Sequence, residues 1–458
     1  MKNYKILIPF IFEEDVMKWC DLLSSDRTGD RGYTQEIDRP FYVKDSDRIT
    51  FSHSFKRLAN KTQVHPLYEN DHLHHRLIHS IEAGVVGRSL GVAVGRRLKA
   101  ENLIDSEQHQ AVAGVVNAAC LAHDIGNPPF GHAGEAAIGE WFAINFNTGN
   151  ILLSTLSDIK RSEFLEFEGN AQGFRILTRL EMHRNHGGMR LSNAVLGAFT
   201  KYPTTCYIKN KTKSDYCGQK KFGIFESDIS IFSVVAKSLG LIEEKSENGT
   251  WWRRHPLVFL VEAADDICYN ILDLEDAFLS GDVDFGTVKE ILSSLIPEYT
   301  TNGAEKKEII SSLRAHGINK AIYACVDAFI ENYDAIMSGT FSSSLIEESK
   351  LRNEFEHIKH FSGQKIFKSS RKTQLEILGR KVIHNVLDGI LPLYTDIMES
   401  GWNADKINPY NKRLSRALDL NISDINNEYD ALHSMTDFVS GMTDRFALKI
   451  SKMLSGSL

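Results

Sequence analysis

Proline and cysteine are scarce in this chain of 458 residues. Ten prolines leave long stretches in which nothing interrupts a helix. The six cysteines are scattered and include no Cys-x-x-Cys pair, which argues against a disulfide framework or a structural zinc site and is typical of reduced thiols. No segment approaches the roughly 20 consecutive apolar residues of a membrane span. The sequence therefore predicts a cytoplasmic protein with no membrane partner.

The chain also lacks a strong excess of charge of either sign. Its net charge is −7, with 42% hydrophobic and 25% charged residues, which is typical of a globular protein with a sizeable core. This balance argues against a surface that coats nucleic acid, but it leaves room for a local basic pocket for an anion.

Most of the sequence has helical periodicity, and alternating strand-like patterns are few. The pattern predicts helices over residues 71–100, 105–124 and 255–280, the second beginning with a capping box from Asp105 to Gln108. Residues 204–225 break the pattern and are interpreted as a hairpin or a mobile loop. We therefore predict an all-α fold, with a catalytic helical core and N-terminal segment over residues 1–285. A C-terminal helical lobe over residues 286–458 would pack on that core.

One stretch, CLAHDIGNPPFGHAGE (120–135), ends an apolar helix in His-Asp and resumes after Pro-Pro with His-x-x-Glu. A His-Asp pair alone proves little, because chance pairs are expected in a chain with 17 histidines. Its meaning depends on whether residues elsewhere in the chain converge on it.

Three predicted helices offer metal-ligand side chains at their ends or on one face. His79 lies in the first, His123 and Asp124 close the second, and Asp265 lies in the third. Taken singly, His79 is typical of a satisfied helix histidine and Asp265 of a solvated face. Together they would form a mixed nitrogen and oxygen site for one divalent metal ion, Mn²⁺, Mg²⁺ or Fe²⁺.

Two further spacings extend this pattern. Arg76 lies three residues before His79, on the same helix face. Tyr269 and Asp273 follow Asp265 at intervals of four residues, which predicts a single stripe along the third helix.

Eight blocks in the chain occur in the order of a known family. They are DSDRITFSHSFKRLANKTQV (45–64), RLIHSIEAGVVGRSL (76–90), AHDIGNPPFGHAGEAAI (122–138), FEGNAQGFRIL (167–177), LGAFTKYP (196–203), KKFGIFESD (220–228), EAADDICYNILDLEDA (262–277) and SGMTDRFA (440–447). Together they resemble the deoxyguanosinetriphosphate triphosphohydrolase (dGTPase) branch of the HD phosphohydrolase superfamily. The resemblance implies an HD-domain helical core.

The resemblance also implies roles for individual residues. The implied metal ligands are His79, His123, Asp124 and Asp265. The implied catalytic acid is His132, with Glu135 as its carboxylate partner, although Glu135 could instead only cap its helix. A carboxylate that orients a histidine helps it to hold and donate a proton near neutral pH.

The reaction implied by the resemblance is hydrolysis of a deoxynucleoside triphosphate, dGTP or several dNTPs, to a deoxynucleoside and tripolyphosphate. Arg76, Asn170, Lys201 and Lys221 would bind the triphosphate. Gln63, Tyr269 and Asp273 would bind the sugar, with Tyr269 excluding a 2′-hydroxyl. The base contacts fall in less recognisable sequence, so base preference stays open.

The H…HD…D order alone does not decide the function. It would also suit a 5′-nucleotidase, a cyclic-nucleotide phosphodiesterase or a non-catalytic nucleotide sensor. Relatives assemble as hexamers or tetramers, which implies a homo-oligomer and leaves a dNTP effector open. Residues 86–99 carry four cationic side chains. These leave single-stranded nucleic acid open as a secondary partner, although such a stripe is typical of a solvated helix face.

Overall fold

The computed structural model describes residues 16–30, 33–36, 38–62, 75–212, 214–300, 305–366 and 370–457. This part of the chain is helical apart from one small hairpin, which confirms the predicted all-α fold. The helices are α1 (Trp19–Leu22), α2 (Phe41–Phe51), α3 (His53–Arg57), α4 (Arg76–Ala100), α5 (Ser106–Ala122), α6 (Gly131–Asn145), α7 (Ile151–Ser154), α8 (Asp158–Leu165), α9 (Gly169–Arg175), α10 (Asn193–Phe199), α11 (Cys206–Thr212), α12 (Ile229–Ser238), α13 (Val258–Ser280), α14 (Phe285–Leu295), α15 (Lys306–Glu331), α16 (Tyr333–Met337), α17 (Leu345–Glu348), α18 (Arg352–Lys365), α19 (Ser370–Glu399), α20 (Pro409–Ala417), α21 (Glu428–Ser440) and α22 (Asp444–Leu454). The strands β1 (Glu243–Ser246) and β2 (Gly249–Trp252) pair antiparallel.

Helices α4 and α5 form a closely packed antiparallel pair. Glycines on α4 face α5: a Cβ added at Gly87 would lie 2.5 Å from the Cys120 sulfur, and one at Gly91 would lie 2.7 Å from the Ala113 Cα. Only glycine permits this approach of the two backbones. The predicted capping box at Asp105 begins α5 as expected. The antiparallel pairing sets the start of α4 beside the end of α5.

Two hydrophobic clusters form the core. The first contains side chains from α1–α5, α10 and α12–α18, and the second joins α6–α8 to α19–α22. Each cluster includes residues from both sides of residue 285, and the division proposed there stays a prediction. The catalytic region predicted from the sequence lies where the two clusters meet.

Among the described helices, α4 alone is long and apolar enough to cross a membrane by length and composition. The sequence had predicted no such segment. Half of that stretch is buried, against α5 and α13, so it serves as a core helix here. Its cationic residues 88, 96, 97 and 99 are exposed, and Arg97 pairs with Asp327 at 3.1 Å.

The interpretation of residues 204–225 as a hairpin or mobile loop is wrong. They contain helix α11 and a 3₁₀ turn, Cys217–Gln219. Cys206 and Ile208 are buried, and Lys209 pairs with Glu166 at 2.7 Å, so the lysines belong to a packed helix. The hairpin lies further on, where Asn248-Gly249 supplies the turn signal that the sequence interpretation missed.

Candidate active site

Four side chains predicted as metal ligands meet at one point. His79 Nε2 lies 3.0 Å from Asp265 Oδ1, and His123 Nε2 lies 3.4 Å from the same oxygen. The ligand atoms of His79, His123 and Asp124 lie within 4.8 Å of one another. The start of α4, the residues after α5 and the middle of α13 supply these groups, as the predicted helices required.

The His123 ring is held in one orientation. Its Nδ1 lies 2.6 Å from the carbonyl oxygen of Cys120, to which it donates, so Nε2 is the nitrogen that faces the carboxylates of Asp124 and Asp265. This buried Nε2 makes no hydrogen bond within the described residues. Burial lowers the pKa of His123, but the carboxylates of Asp124 and Asp265 outweigh it and raise that pKa to about 9. The cluster therefore favours a positive charge at this point.

Arg76 faces the same cluster. Its Nη1 donates to Asp124 Oδ2 at 2.8 Å, and Asn127 donates to the other oxygen of that carboxylate. Burial raises the pKa of Asp124, but Arg76 and the histidines hold it below its ordinary value. Asp124 is therefore an anion fixed in orientation on both sides. Asn127 had not been predicted from the sequence.

His132 and Glu135 form a second pair at the start of α6. His132 Nδ1 donates to Glu135 Oε2 at 2.6 Å, and Glu135 Oε1 accepts the backbone N–H of Gly169 at 2.8 Å. The His132 side chain is 81% exposed, whereas that of Glu135 is 9% exposed. Burial raises the pKa of Glu135, but the contact with His132 brings it below its ordinary value. A buried anion thus orients an exposed imidazole.

Lys201 lines the same cavity, beside a glutamate that the sequence analysis overlooked. Its Nζ lies 3.2 Å from Glu262 Oε1, and Arg254 Nη1 lies 3.0 Å from Glu262 Oε2. Arg254 also donates to the Lys201 carbonyl at 2.8 Å. Glu262 lies three residues before Asp265 on α13, so its spacing could have placed it on the same helix face.

Lys221 and Asn170 converge on another glutamate. Lys221 Nζ lies 3.0 Å from Glu168 Oε2, and Asn170 Nδ2 donates to Glu168 Oε1 at 2.6 Å. Burial lowers the pKa of Lys221, but Glu168 and Glu135 raise it above its ordinary value. Both predicted lysines are therefore charged and pre-oriented by a carboxylate.

A cavity of about 470 Å³ joins these groups. The predicted site residues on its wall are Arg76, His79, His123, Asp124, His132, Asn170, Lys201, Lys221, Asp265 and Tyr269. Leu375 and Glu376 of α19 also line it, which the sequence analysis did not foresee. Asp273 is buried one turn beyond Tyr269 and is not part of the described wall. Gln63 lies outside the described residues.

The fold and the site together define a class of helical protein in which a histidine–aspartate cluster shares a cavity with fixed lysines. Comparison with known proteins then identifies the family. A deoxyguanosinetriphosphate triphosphohydrolase-like protein of Synechocystis is 36% identical over 453 residues, covering 96% of this chain and 99% of that protein. A protein of the same name from Pseudomonas aeruginosa is 37% identical over 455 residues, with the same coverage.

A Klebsiella pneumoniae protein named deoxyguanosinetriphosphate triphosphohydrolase is 31% identical over 400 residues, covering 77% of each chain. No family model matches the chain. At this identity and coverage, the chain belongs to the deoxyguanosinetriphosphate triphosphohydrolase family, which confirms the resemblance found in the sequence.

Proposed function

We propose that this protein is a metal-dependent triphosphohydrolase that converts a deoxynucleoside triphosphate to a deoxynucleoside and inorganic tripolyphosphate. The observation that carries the proposal is a single cavity that combines three features. These are the histidine–aspartate cluster, the exposed His132 hydrogen-bonded to the buried Glu135, and two lysines that are each paired with a glutamate. The names of the relatives support the same class of reaction.

The residues present fit one divalent ion held by His79, His123, Asp124 and Asp265. The Nδ1 contact with Cys120 leaves the buried Nε2 of His123 as the nitrogen available to a metal, and binding of a cation would release the proton that Asp124 and Asp265 favour there. Imidazole and carboxylate ligands without thiolate suit Mn²⁺, Mg²⁺ or Fe²⁺. When bound, such an ion supplies Lewis-acid polarisation of a phosphate oxygen and a water of lowered pKa.

His132 would act as the general acid. The 5′ oxygen is a poor leaving group and needs a proton as its bond to phosphorus breaks. Because Nδ1 of His132 is engaged by Glu135, Nε2 is the atom that delivers this proton. The buried carboxylate of Glu135 accepts the Nδ1 hydrogen bond and so holds the ring in one orientation on the cavity wall.

Lys201 and Lys221 would bind the triphosphate, together with Arg76 and Asn170. Phosphate oxygens accept charge-assisted hydrogen bonds from ammonium groups. Both lysines line the cavity and are charged before any anion binds. Their glutamate partners hold the ammonium groups in place when no anion is bound. A triphosphate would therefore meet donors whose positions are already set, which reduces the entropy lost on binding.

Tyr269 would select the deoxyribose. It lines the cavity one turn beyond Asp265 on α13 and is 37% exposed, so its ring can lie against a sugar attached to a phosphate near the cluster. A 2′-hydroxyl would meet that ring, which penalises ribonucleotides. The family resemblance assigns hydrogen bonds with the 3′-hydroxyl to Asp273 and Gln63.

The test is to incubate the protein with each dNTP and with GTP, in Mn²⁺ or Mg²⁺, and to resolve the products by anion exchange. We expect tripolyphosphate and deoxynucleoside from at least one dNTP and neither product from GTP. Pyrophosphate with a monophosphate would contradict the assigned bond cleavage. The absence of turnover in every dNTP and in their mixture would favour another phosphohydrolase, such as a 5′-nucleotidase, or a nucleotide sensor.

Matched variants separate the assigned roles. His132→Asn should lose kcat by about 10²- to 10⁴-fold while metal binding is retained, because general acid catalysis contributes that range. Lys201→Met should mainly raise KM. Turnover only in dNTP mixtures would support the dNTP effector that the family resemblance leaves open. Size-exclusion chromatography with light scattering would test the homo-oligomer.

A further inference from the structure

The turn between α21 and α22 contacts the backbone of the segment that leads to His132, the candidate catalytic acid. Asp444, the first residue of α22, is 2% exposed. Its Oδ1 accepts the backbone N–H of Phe130 at 3.0 Å, and its Oδ2 accepts the backbone N–H of Thr62 at 3.1 Å. The Thr62 hydroxyl donates to the same Oδ2. One buried carboxylate thus joins two segments far apart in sequence.

The contact with Phe130 matters because of the backbone there. Phe130 has φ +65° and Gly131 has φ +57°, so two consecutive residues are left-handed, and His132 follows directly. A left-handed bulky residue is an outlier that persists only where the surroundings fix it. Phe130 precedes α6 without a side-chain cap of its own, and Asp444 supplies an acceptor for its N–H.

A second link from the same turn reaches the other side of the site. The buried Lys61 Nζ donates to the Asn127 carbonyl at 2.6 Å and to the Ser440 carbonyl at 2.7 Å. Asn127 in turn donates to the Asp124 carboxylate. The α21–α22 turn therefore contacts, through one lysine and one aspartate, the segments that carry both the cluster and His132.

We infer that Asp444 is a positioning residue for His132. Its carboxylate holds the left-handed Phe130–Gly131 step, which sets the start of α6 and hence the direction of the His132 ring and its contact with Glu135. The inference rests on the proposed function for its catalytic consequence, but the position of His132 can be measured independently of any reaction.

The experiment combines kinetics with chemical labelling of the full chain. Asp444→Ala should lower kcat by about 10- to 100-fold, because small displacements of a catalytic group cost rates of this size. KM should change less than about 3-fold, since the triphosphate contacts are untouched. Asp444→Asn keeps one acceptor oxygen, so its kcat should fall less than that of Asp444→Ala. This variant replaces Asp444→Ala in the experiment if the alanine variant does not fold.

The labelling readout is carbethoxylation of His132 by diethyl pyrocarbonate, measured by mass spectrometry relative to His186, which is exposed on a distant loop. The His132 side chain is 81% exposed and its Nδ1 contacts Glu135, so a ring displaced from that contact should change its labelling ratio in Asp444→Ala. Glu428→Ala is the matched control: it also removes the first acidic residue of a C-terminal helix, α21. It should change neither kcat nor the labelling ratio.

Equal behaviour of Asp444→Ala and Glu428→Ala in both readouts would overturn the inference. A selective loss of kcat together with a changed His132 labelling ratio supports it. If the wild-type protein forms no tripolyphosphate, the proposed function fails, and the labelling ratio still decides whether Asp444 positions His132.

Discussion

Two clusters in this molecule pair a buried histidine with a carboxylate, and they behave in opposite ways. The first is the candidate metal centre around His123. The second, which we call the lobe cluster, consists of Glu163 on α8 with Tyr429 and His433 on α21. In the lobe cluster, His433 Nε2 lies 3.2 Å from Glu163 Oε1, and Glu163 also accepts the Tyr429 hydroxyl and the Glu226 N–H.

The difference lies in the surrounding charges. Burial raises the pKa of Glu163 to about 8, and burial with Arg175 and Arg179 nearby lowers the pKa of His433 well below its ordinary value. At the metal centre, two carboxylates overcome burial and raise the pKa of His123 to about 9. The lobe cluster therefore stays neutral and stabilises the fold, whereas the metal centre is arranged for a cation. Residue type alone does not separate the two cases.

The largest expected effect is at the metal centre. Asp265→Asn replaces the carboxylate that contacts both histidines by a neutral amide. It should abolish Mn²⁺ binding and lower activity more than about 100-fold, because even outer-shell partners of a metal cost 10- to 100-fold. Isothermal titration with Mn²⁺ and the product assay would measure both. Glu163→Gln is the control from the lobe cluster and should bind Mn²⁺ as the wild type does. Equal loss in the two variants would abolish the distinction.

A second change should separate stability from function. Glu163→Ala leaves a cavity and two buried donors without their acceptor, which should lower the free energy of unfolding by about 3 kcal/mol. Turnover per folded molecule should be unchanged, since the lobe cluster touches no cavity residue described above. Urea unfolding and active-site-normalised kinetics would measure the two quantities. A fall in kcat without a fall in stability would assign the lobe cluster to the site.

The contrast also shows what the sequence can predict. The convergence of the candidate metal centre was predictable because His79, the His123-Asp124 pair and Asp265 occur in an ordered pattern on segments with clear helical period. The α13 stripe was predictable for the same reason. The lobe cluster was not, because Glu163 and His433 come from distant segments that carry no local motif and meet only through tertiary packing.

The glutamates that pair with Lys201 and Lys221 could not be predicted either, because these contacts also arise from tertiary packing. Glu168 and Glu262 lie within recognised blocks, but nothing in the sequence says that they face Lys221 and Lys201. Likewise Asp444 lies in a recognised block, and its contact with Phe130 depends on how the C-terminal helices close over the start of α6.

A pH dependence follows from the lobe cluster. In the unfolded chain Glu163 titrates near about 4.3, and in the folded protein its pKa is about 8. Between these values the folded protein binds one more proton, so stability from this group is present at low pH and is lost as pH rises through about 8. The free energy of unfolding should fall by up to about 1.4 kcal/mol per pH unit.

Urea unfolding of the wild type and Glu163→Gln from about pH 5 to about pH 8 would measure this contribution. The glutamine variant cannot ionise at this position, so the wild-type free energy should fall more steeply with pH. Parallel curves would show that Glu163 is ionised throughout, and the lobe cluster would then resemble the metal centre in charge.

The smallest expected effect comes from His433→Phe. The ring already packs against Phe164, Phe225 and Tyr429, with centroid distances of 5.1, 4.9 and 4.5 Å. Neither of its ring nitrogens makes a hydrogen bond with a described residue, so little polar interaction is lost. A volume-conserving change of this kind should cost less than about 1.5 kcal/mol.

The same substitution at the candidate metal centre, His123→Phe, should leave the fold intact but abolish Mn²⁺ binding, because Nε2 is the proposed ligand atom and phenylalanine has no counterpart to it. Comparing the two phenylalanine variants by urea unfolding and Mn²⁺ titration tests whether the ring nitrogens matter only where they face the cavity. A large stability loss in His433→Phe would show that its contact with Glu163 is a charged interaction, because only a charged pair loses much when the imidazole is replaced by a ring of similar size.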